Sequence, residues 1–167
     1  WDGECDYYGC TDSEAVNFKE NASINDGSCI IPEDLGTLIC GQSAGIENDT
    51  IDFNNTYRLY KFVVAQDNTE VMIDLLGESY STNVRIYKNK ELYYTINSGW
   101  SLTDLHTLTF NYGTYHILIS KTVQSSSYTN NLVRVITAIQ DGLIYNYDPT
   151  TSYFDMVLIS NDGSCEY

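Results

Sequence analysis

The 167-residue sequence predicts an all-β protein in which two packed antiparallel sheets are flanked at both ends by short, loop-rich segments, and three observations carry that reading. Short segments of alternating apolar and polar residues follow one another through residues 32–139 at the spacing of a β-sandwich. Helical periodicity is absent throughout. Cysteine crowds into the first 40 residues, where Cys5, Cys10, Cys29 and Cys40 lie, with Cys165 the only other. The chain therefore divides into a Cys-rich segment over 1–31, a sandwich over 32–139 and a C-terminal segment over 140–167.

Composition narrows the function before any motif does. With 23 acidic and 8 basic side chains the formal charge is −15, so the surface repels phosphate backbones and anionic lipid. Nucleic acid is excluded as a partner. The 15 tyrosines, with abundant Ser, Thr and Asn, suit β-rich surfaces outside the cell. No apolar run approaches the ~18 residues of a membrane span, so membrane insertion is not expected. The opening Trp1-Asp2-Gly3-Glu4-Cys5 lacks a signal pattern, so an export signal is expected to have been removed or to lie upstream.

In chain order, the N-terminal segment comes first. Its cysteine cluster reads as a disulfide framework, because zinc sites show CxxC pairs or neighbouring His and neither is present. The chain opens WDGECDY and closes NDGSCEY, so Asp-Gly-x-Cys-(Asp/Glu)-Tyr recurs at an offset of 160. A longer copy supports this. Residues 9–29, GCTDSEAVNFKENASINDGSC, align with residues 141–165 when Asp12 is set on Asp141, Asn17 on Asn146 and Phe18 on Tyr147, with an insertion of about seven residues in the second copy. Ile139 stands where Cys10 would. The natural unit is therefore about 160 residues long.

Residues 9–29 resemble the GCTDPxAxNYDPxAxxDDGSCxY repeat of large exported proteins from marine and gliding bacteria and some algae. The likeness covers residues 1–31 and, in degenerate form, 139–167. It implies a secreted or surface-exposed protein built of copies in tandem or flanking other domains. If Cys165 is the periodic image of Cys5, four cysteines per unit allow three pairings. Cys10 with Cys29 and Cys5 with Cys40 is the expected set, because a loop of about 20 residues closes easily and contributes on the order of 3 kcal/mol. Cys165 is then odd, and either bonds the next unit in an array or polymer or is a free or truncated-end cysteine.

The middle segment supplies strands in order. Tyr60, Phe62 and Val64 share one face; so do Val71, Ile73 and Leu75, then Val84 and Ile86, then Tyr115, Ile117 and Ile119, while Val133 and Val135 head an expected last strand. Gln66-Asp67-Asn68, Lys88-Asn89-Lys90 and Asn111-Tyr112-Gly113 lie between them and suit turns. Residues 57–62, YRLYKF, the strand at 71–75, residues 83–87, NVRIY, and Gly113-Thr114-Tyr115-His116-Ile117 are similar to the bacterial pre-peptidase C-terminal domain over about residues 55–139. That resemblance implies a jelly-roll-like antiparallel β-sandwich serving in binding, spacing or secretion support, and it brings no catalytic residues.

Candidate chemistry is sparse. The two histidines, His106 and His116, lack any nucleophile motif or HExxH helix beside them, and both read as structural; Asp104 beside His106 hints at a dyad but supplies no nucleophile. Catalysis is not expected. Asp12, Asn17, Asn21, Asn25 and Asp26 place oxygens every few residues in a loop ending Asp-Gly, which suits calcium; the competing reading is that they cap turns through the main chain. Asn21, Asn48 and Asn54 begin N-x-S/T sequons and are candidate glycosylation sites. Tyr93, Tyr94 and Trp100 could stack on sugar faces. Residues 125–131 read as an exposed low-complexity loop.

Together these features predict an extracellular, non-enzymatic structural module whose partners are adjacent repeats or copies of itself, joined as a tandem surface protein or a head-to-tail filament. The rival is a carbohydrate- or ligand-binding accessory module of a secreted hydrolase, with glycans as its partner.

Overall fold

The structure, a computed structural model, describes residues 6–51, 57–78, 83–97, 104–120, 132–140, 152–161 and 163. Two layers form the body. One is a five-stranded sheet in the order β3-β5-β10-β7-β8, built from β3 (Glu33–Leu38), β5 (Tyr57–Val64), β10 (Gly113–Ser120), β7 (Asn83–Lys88) and β8 (Glu91–Asn97). The other is a four-stranded sheet in the order β4-β11-β6-β9, from β4 (Ser43–Ile51), β11 (Ser152–Asn161), β6 (Thr69–Glu78) and β9 (Asp104–Phe110). A small parallel pair, β1 (Tyr8–Gly9) and β2 (Ile24–Asn25), belongs to the N-terminal module, and one helix, α1 (Leu132–Gln140), lies between β10 and β11 in sequence.

Alternation places the core. Tyr60, Phe62 and Val64 from β5, Val71, Ile73 and Leu75 from β6, Val84 and Ile86 from β7, and Tyr115, Ile117 and Ile119 from β10 are all fully buried in one cluster between the sheets. These are the sets that period-two reading assigns to one face. Phe62 stacks on Tyr115 at 5.5 Å between ring centroids and meets Phe110 edge-on at 5.7 Å. A polar bridge also ties the layers together. The Tyr60 hydroxyl on β5 donates to Asp49 Oδ2 on β4, and Arg58 Nε donates to Asp49 Oδ1 at 2.9 Å. Burial pushes the Asp49 carboxyl up, but the Tyr60 and Arg58 donors outweigh it and hold the group below its ordinary value.

The turns follow the residues expected to make them. Asn89 and Lys90 both have positive φ, 51° and 67°, and they alone separate β7 from β8, the signature of a type I′ hairpin turn. Asn68 also lies in the left-handed region at φ 60°. Its neighbour Asp67 accepts from Tyr112 N at 2.8 Å, so the 66–68 and 111–113 turns bond each other.

Three features depart from the sequence reading. Val133 and Val135 lie in a helix, not a strand, because Leu132, Val135 and Ile136 recur at helical spacing and bury together on Leu59, Tyr87 and Leu118, on the outer face of the five-stranded sheet. Burial of that face overrides the strand preference of β-branched residues. Residues 152–161, assigned from sequence to the C-terminal segment, form β11, which sits between β4 and β6 in the four-stranded sheet. Finally, β3 runs parallel to β5, so the sandwich is not wholly antiparallel.

Candidate functional site

The N-terminal module is assembled from short-range chemistry. Cys10 and Cys29 are joined by a disulfide, as the short-loop pairing predicts, and Lys19 N donates to Cys10 O at 2.9 Å just beyond the crosslink. Val16 and Ile30 are its apolar feet, packed in the cluster with Leu59, Tyr87, Leu118 and the buried face of α1. A Cβ on Gly9 would stand 2.6 Å from Cδ of Lys19, a flexible side chain that would have to shift to admit it.

Three of the five oxygen-bearing residues assigned to calcium cap turns, and a fourth bridges the two ends of the loop. Asp12 Oδ1 accepts from Glu14 N, Asn25 Oδ1 from Gly27 N and Asp26 Oδ1 from Ser28 N, each at 2.9 Å. Asn17 clasps the end of the loop, donating to Ser28 O at 2.6 Å while its carbonyl accepts from Ile30 N at 2.8 Å. Hydrogen bonds from the Ser28 side chain and main chain hold Asp26 below the ordinary carboxylate range. Among the described residues no group of three or more His, Cys, Asp or Glu is placed to hold a metal ion. Asn21 is exposed, as glycan attachment requires; the Asn48 side chain and Asn54 lie outside the described residues.

In the second NDGSC segment Asn161 ends β11, and the Asn–Gly contact of the first copy recurs. Asn161 Oδ1 accepts from Gly163 N at 3.0 Å, and Gly163 has φ 80°. In the first copy Asn25 Oδ1 accepts from Gly27 N at 2.9 Å, and Gly27 has φ 79°. A sulfur lies against the asparagine oxygen in both. In the first copy it is the motif's own, Cys29 Sγ at 3.7 Å from Asn25 Oδ1. In the second it belongs to Cys40, whose Sγ lies 3.9 Å from Asn161 Oδ1. Cys40 is disulfide-bonded. Its neighbour Gly41 donates its N–H to Ser160 O at 3.2 Å, fixing the chain before β4 against the end of β11. Cys5 and Cys165 lie outside the described residues.

The remaining candidates are dispersed. Tyr93 is 42% exposed, but its ring stacks on Phe110 at 5.3 Å and its hydroxyl donates to Thr109 O at 2.6 Å, so it closes one edge of the sandwich from β8 to β9. Tyr94, 39% exposed, sits opposite Ile86 in the β7–β8 register; Trp100 lies outside the described residues. His106 pairs with buried Ile73 across β6–β9, and the Asp104 side chain lies outside the described residues. His116 is on the opposite layer, facing Tyr87 across β10–β7 and Lys61 across β10–β5. Burial, then Lys61 and Lys90, push its pKa down to about 4, so it is neutral at pH 7. Residues 125–131 also lie outside the described residues.

Sequence reasoning missed a cleft of about 500 Å³ where the module meets the sandwich, lined by Asn17, Lys19 and Asp26 of the module, Lys90 of the β7–β8 turn and Val133 and Thr137 of α1. It also missed the contact of Cys40 with Asn161. The clue to the second was in the sequence, since the same five residues recur at 25–29 and 161–165.

No family model matches the chain, and no curated protein matches it. Among solved structures the chain is similar to the pre-peptidase C-terminal domain of a collagenase from Bacillus anthracis, with a TM-score of 0.45 at 10% identity over 76% of this chain and 93% of that one. It is also similar to PliG, a periplasmic inhibitor of g-type lysozyme, from Aeromonas hydrophila, with a TM-score of 0.41 at 12% identity over 77% of this chain and 99% of that one. The Salmonella Typhimurium PliG gives 0.39 at 12% identity over 77% and 99%.

Proposed function

We propose that the chain is an extracellular, non-enzymatic structural module, a unit of a tandem surface protein of the GCTD…DGSC kind or a subunit of a head-to-tail filament. The observation that carries this reading is the pair of matching turns. One NDGSC turn closes the stapled module at the front, and its twin leaves the central strand β11 at the back, each with an asparagine oxygen on the second-next N–H and a glycine at φ near 80°. A motif that recurs in sequence, with the same Asn–Gly contact in both copies, supports a chain built of like units in series. The Cys10–Cys29 disulfide supports an oxidising, extracellular setting, and no helix among the described residues is long and apolar enough to cross a membrane.

A non-catalytic role is supported by the histidines, one against the sandwich core and one neutral on the opposite layer. The rival, carbohydrate binding, loses one of its three rings to the sandwich edge, because Tyr93 spends its face on Phe110. Binding to a polysaccharide array that disappears in Trp100→Ala would favour that rival. Electrophoresis of native source material without reductant tests the main proposal. It is expected to give either a ladder of units that collapses on reduction or a single chain several units long. A lone 18.9 kDa species under both conditions would overturn it.

A further inference from the structure

The cleft where the module meets the sandwich differs in charge from the chain around it. The sequence carries 23 acidic against 8 basic side chains, yet the cleft wall carries Lys19 and Lys90 against Asp26. Three other basic side chains are engaged elsewhere. Arg58 pairs with Asp49 at 2.9 Å, Lys61 with Asp34 at 3.0 Å, and Lys88 Nζ donates to Tyr112 O at 3.0 Å. Among the described residues the ammonium groups of Lys19 and Lys90 have neither an ion pair nor a hydrogen bond. We propose that this cleft binds an acidic sugar, a uronic acid unit of a polysaccharide, with its carboxylate on Lys19 and Lys90, its hydroxyls on Asp26 and its apolar face against Phe18.

Lys90 stands at the cleft against the preference of its own turn. It is the second central residue of the β7–β8 hairpin, at φ 67°, where glycine is favoured because a Cβ in the left-handed region crowds the main chain. A strained residue that sets a cation at a cleft points to a ligand for that cation. The position is also fixed. Lys90 O accepts from Leu132 N at 2.9 Å, which ties the turn to the start of α1, and α1 supplies Val133 and Thr137 to the same wall. Across the cleft, the Cys10–Cys29 bond and the Asn17 clasp on Ser28 O and Ile30 N hold the loop that carries Phe18, Lys19 and Asp26. Walls formed in advance reduce the ordering cost of binding.

The lining groups together select the ligand. The two ammonium groups select an anion. Asp26 selects hydroxyl donors, since an ionised carboxylate only accepts, and the hydrogen bonds from Ser28 keep it ionised. Phe18, 38% exposed, offers a ring to the apolar face of a pyranose. An acidic peptide would satisfy the lysines but bring like charge to Asp26; a neutral sugar would satisfy Asp26 and Phe18 but leave the lysines unpaired. An acidic sugar uses all of them. The cleft volume of about 500 Å³ lies within the roughly 300–1,000 Å³ of small-ligand sites. This site is independent of the serial-module reading, and in an array each unit would carry one.

Isothermal titration of the whole chain with tetramers of galacturonic, glucuronic and mannuronic acid, a neutral galactose tetramer and hexaglutamate tests the site. At least one acidic tetramer is expected to bind, and the neutral tetramer and hexaglutamate to bind it about tenfold more weakly or not at all. Lys90→Gly should weaken the acidic sugar by about tenfold or more without lowering the unfolding midpoint, because glycine suits the positive φ. Lys19→Met should weaken it similarly, while Lys61→Met, which removes a lysine already paired with Asp34, should leave it unchanged. Failure of every acidic tetramer to bind at millimolar concentration overturns the proposal, and so does hexaglutamate binding as tightly as the sugar. Sugar binding that survives Lys90→Gly and is lost in Trp100→Ala overturns it as well, and assigns the ligand to the other surface.

Discussion

Residues 6–30 and the sandwich reach order by different physics. In the module only Gly9, Cys10, Ala15, Val16 and Ile30 are buried among the described residues, and shape comes from Asx turns and one crosslink. In the sandwich eighteen buried side chains form a single cluster, most of them wholly inaccessible. A segment of that length cannot bury enough apolar surface to offset its conformational entropy, so it borrows a disulfide and a face of its neighbour. The module should therefore fail without its staple while the sandwich stands, and the sandwich should fail only when its core is cut.

The largest expected effect comes from the core. Phe62 is fully buried, stacked on Tyr115 and edge-on to Phe110. Phe62→Ala should cost about 3–5 kcal/mol in denaturant unfolding and take sandwich and module down together. A loss below about 1 kcal/mol would mean the two sheets do not pack through this cluster.

Next is the staple. Cys10→Ser with Cys29→Ser should remove about 3 kcal/mol, almost all of it from the module. Hydrogen exchange should then show main-chain amides such as Lys19 and Ile30 losing protection, while those of β5, β6 and β10 keep theirs. Equal loss in both regions would erase the contrast and make module and sandwich one cooperative unit.

How much of this was legible in the sequence follows the same division. The sandwich strands announce themselves because a half-buried strand writes its burial directly into alternation: Val71, Ile73 and Leu75 read as one face and are one face. The Asn89-Lys90 turn is legible because few residue types accept two consecutive positive φ values. Helix α1 was not, because Val133 and Val135 alternate like a strand, and only the sheet beneath decides that Leu132, Val135 and Ile136 form the buried face. The central place of β11 was hidden too. Residues 152–161 were masked by their alignment to the N-terminal repeat, whose counterpart has no such strand. At the candidate site, the Cys10–Cys29 bond follows from loop length. Cys40 and Asn161 are 121 positions apart, so their approach needs the chain between them to be folded first.

Acid should titrate His116 and the lowered carboxylates in separate pH windows. The pKa of His116 is pushed from 6.5 down to about 4, by burial first and then by Lys61 and Lys90, with Tyr87 the ionisable group across β7. Between those values the unfolded chain takes up a proton that the folded chain refuses, so stability falls as the pH drops from 6.5 toward about 4. Allowing for partial solvent access, the loss is about 2 kcal/mol. Asp26, Asp34 and Asp49 are lowered carboxylates with an ordinary value of 3.8; the stability they contribute is present above that value and is lost at lower pH, in a separate window. His116→Gln should flatten the decline above pH 4 and leave the lower one in place. An unchanged slope in that variant would show that the strip of sheet holding Lys61, Tyr87 and His116 is open to water.

The finest comparison sets the two NDGSC turns against each other. Asn25 and Asn161 each accept the N–H of a glycine two residues on, at 2.9 and 3.0 Å, so replacing either by Ala removes one capping bond worth about 1 kcal/mol. The consequences should differ because the surroundings do. In the module the Cys10–Cys29 bond holds the loop whether or not the cap is present, so Asn25→Ala should leave the global unfolding midpoint nearly unchanged and raise exchange at Gly27 and Ser28. Asn161 ends a strand with partners on both sides and lies beside the Cys40 sulfur, so Asn161→Ala should lower the midpoint for the whole sandwich and speed reduction of the Cys40 disulfide by mild thiol. If the two variants behave alike, the back turn is a loop end like the front one, with no part in holding the joint to its sandwich.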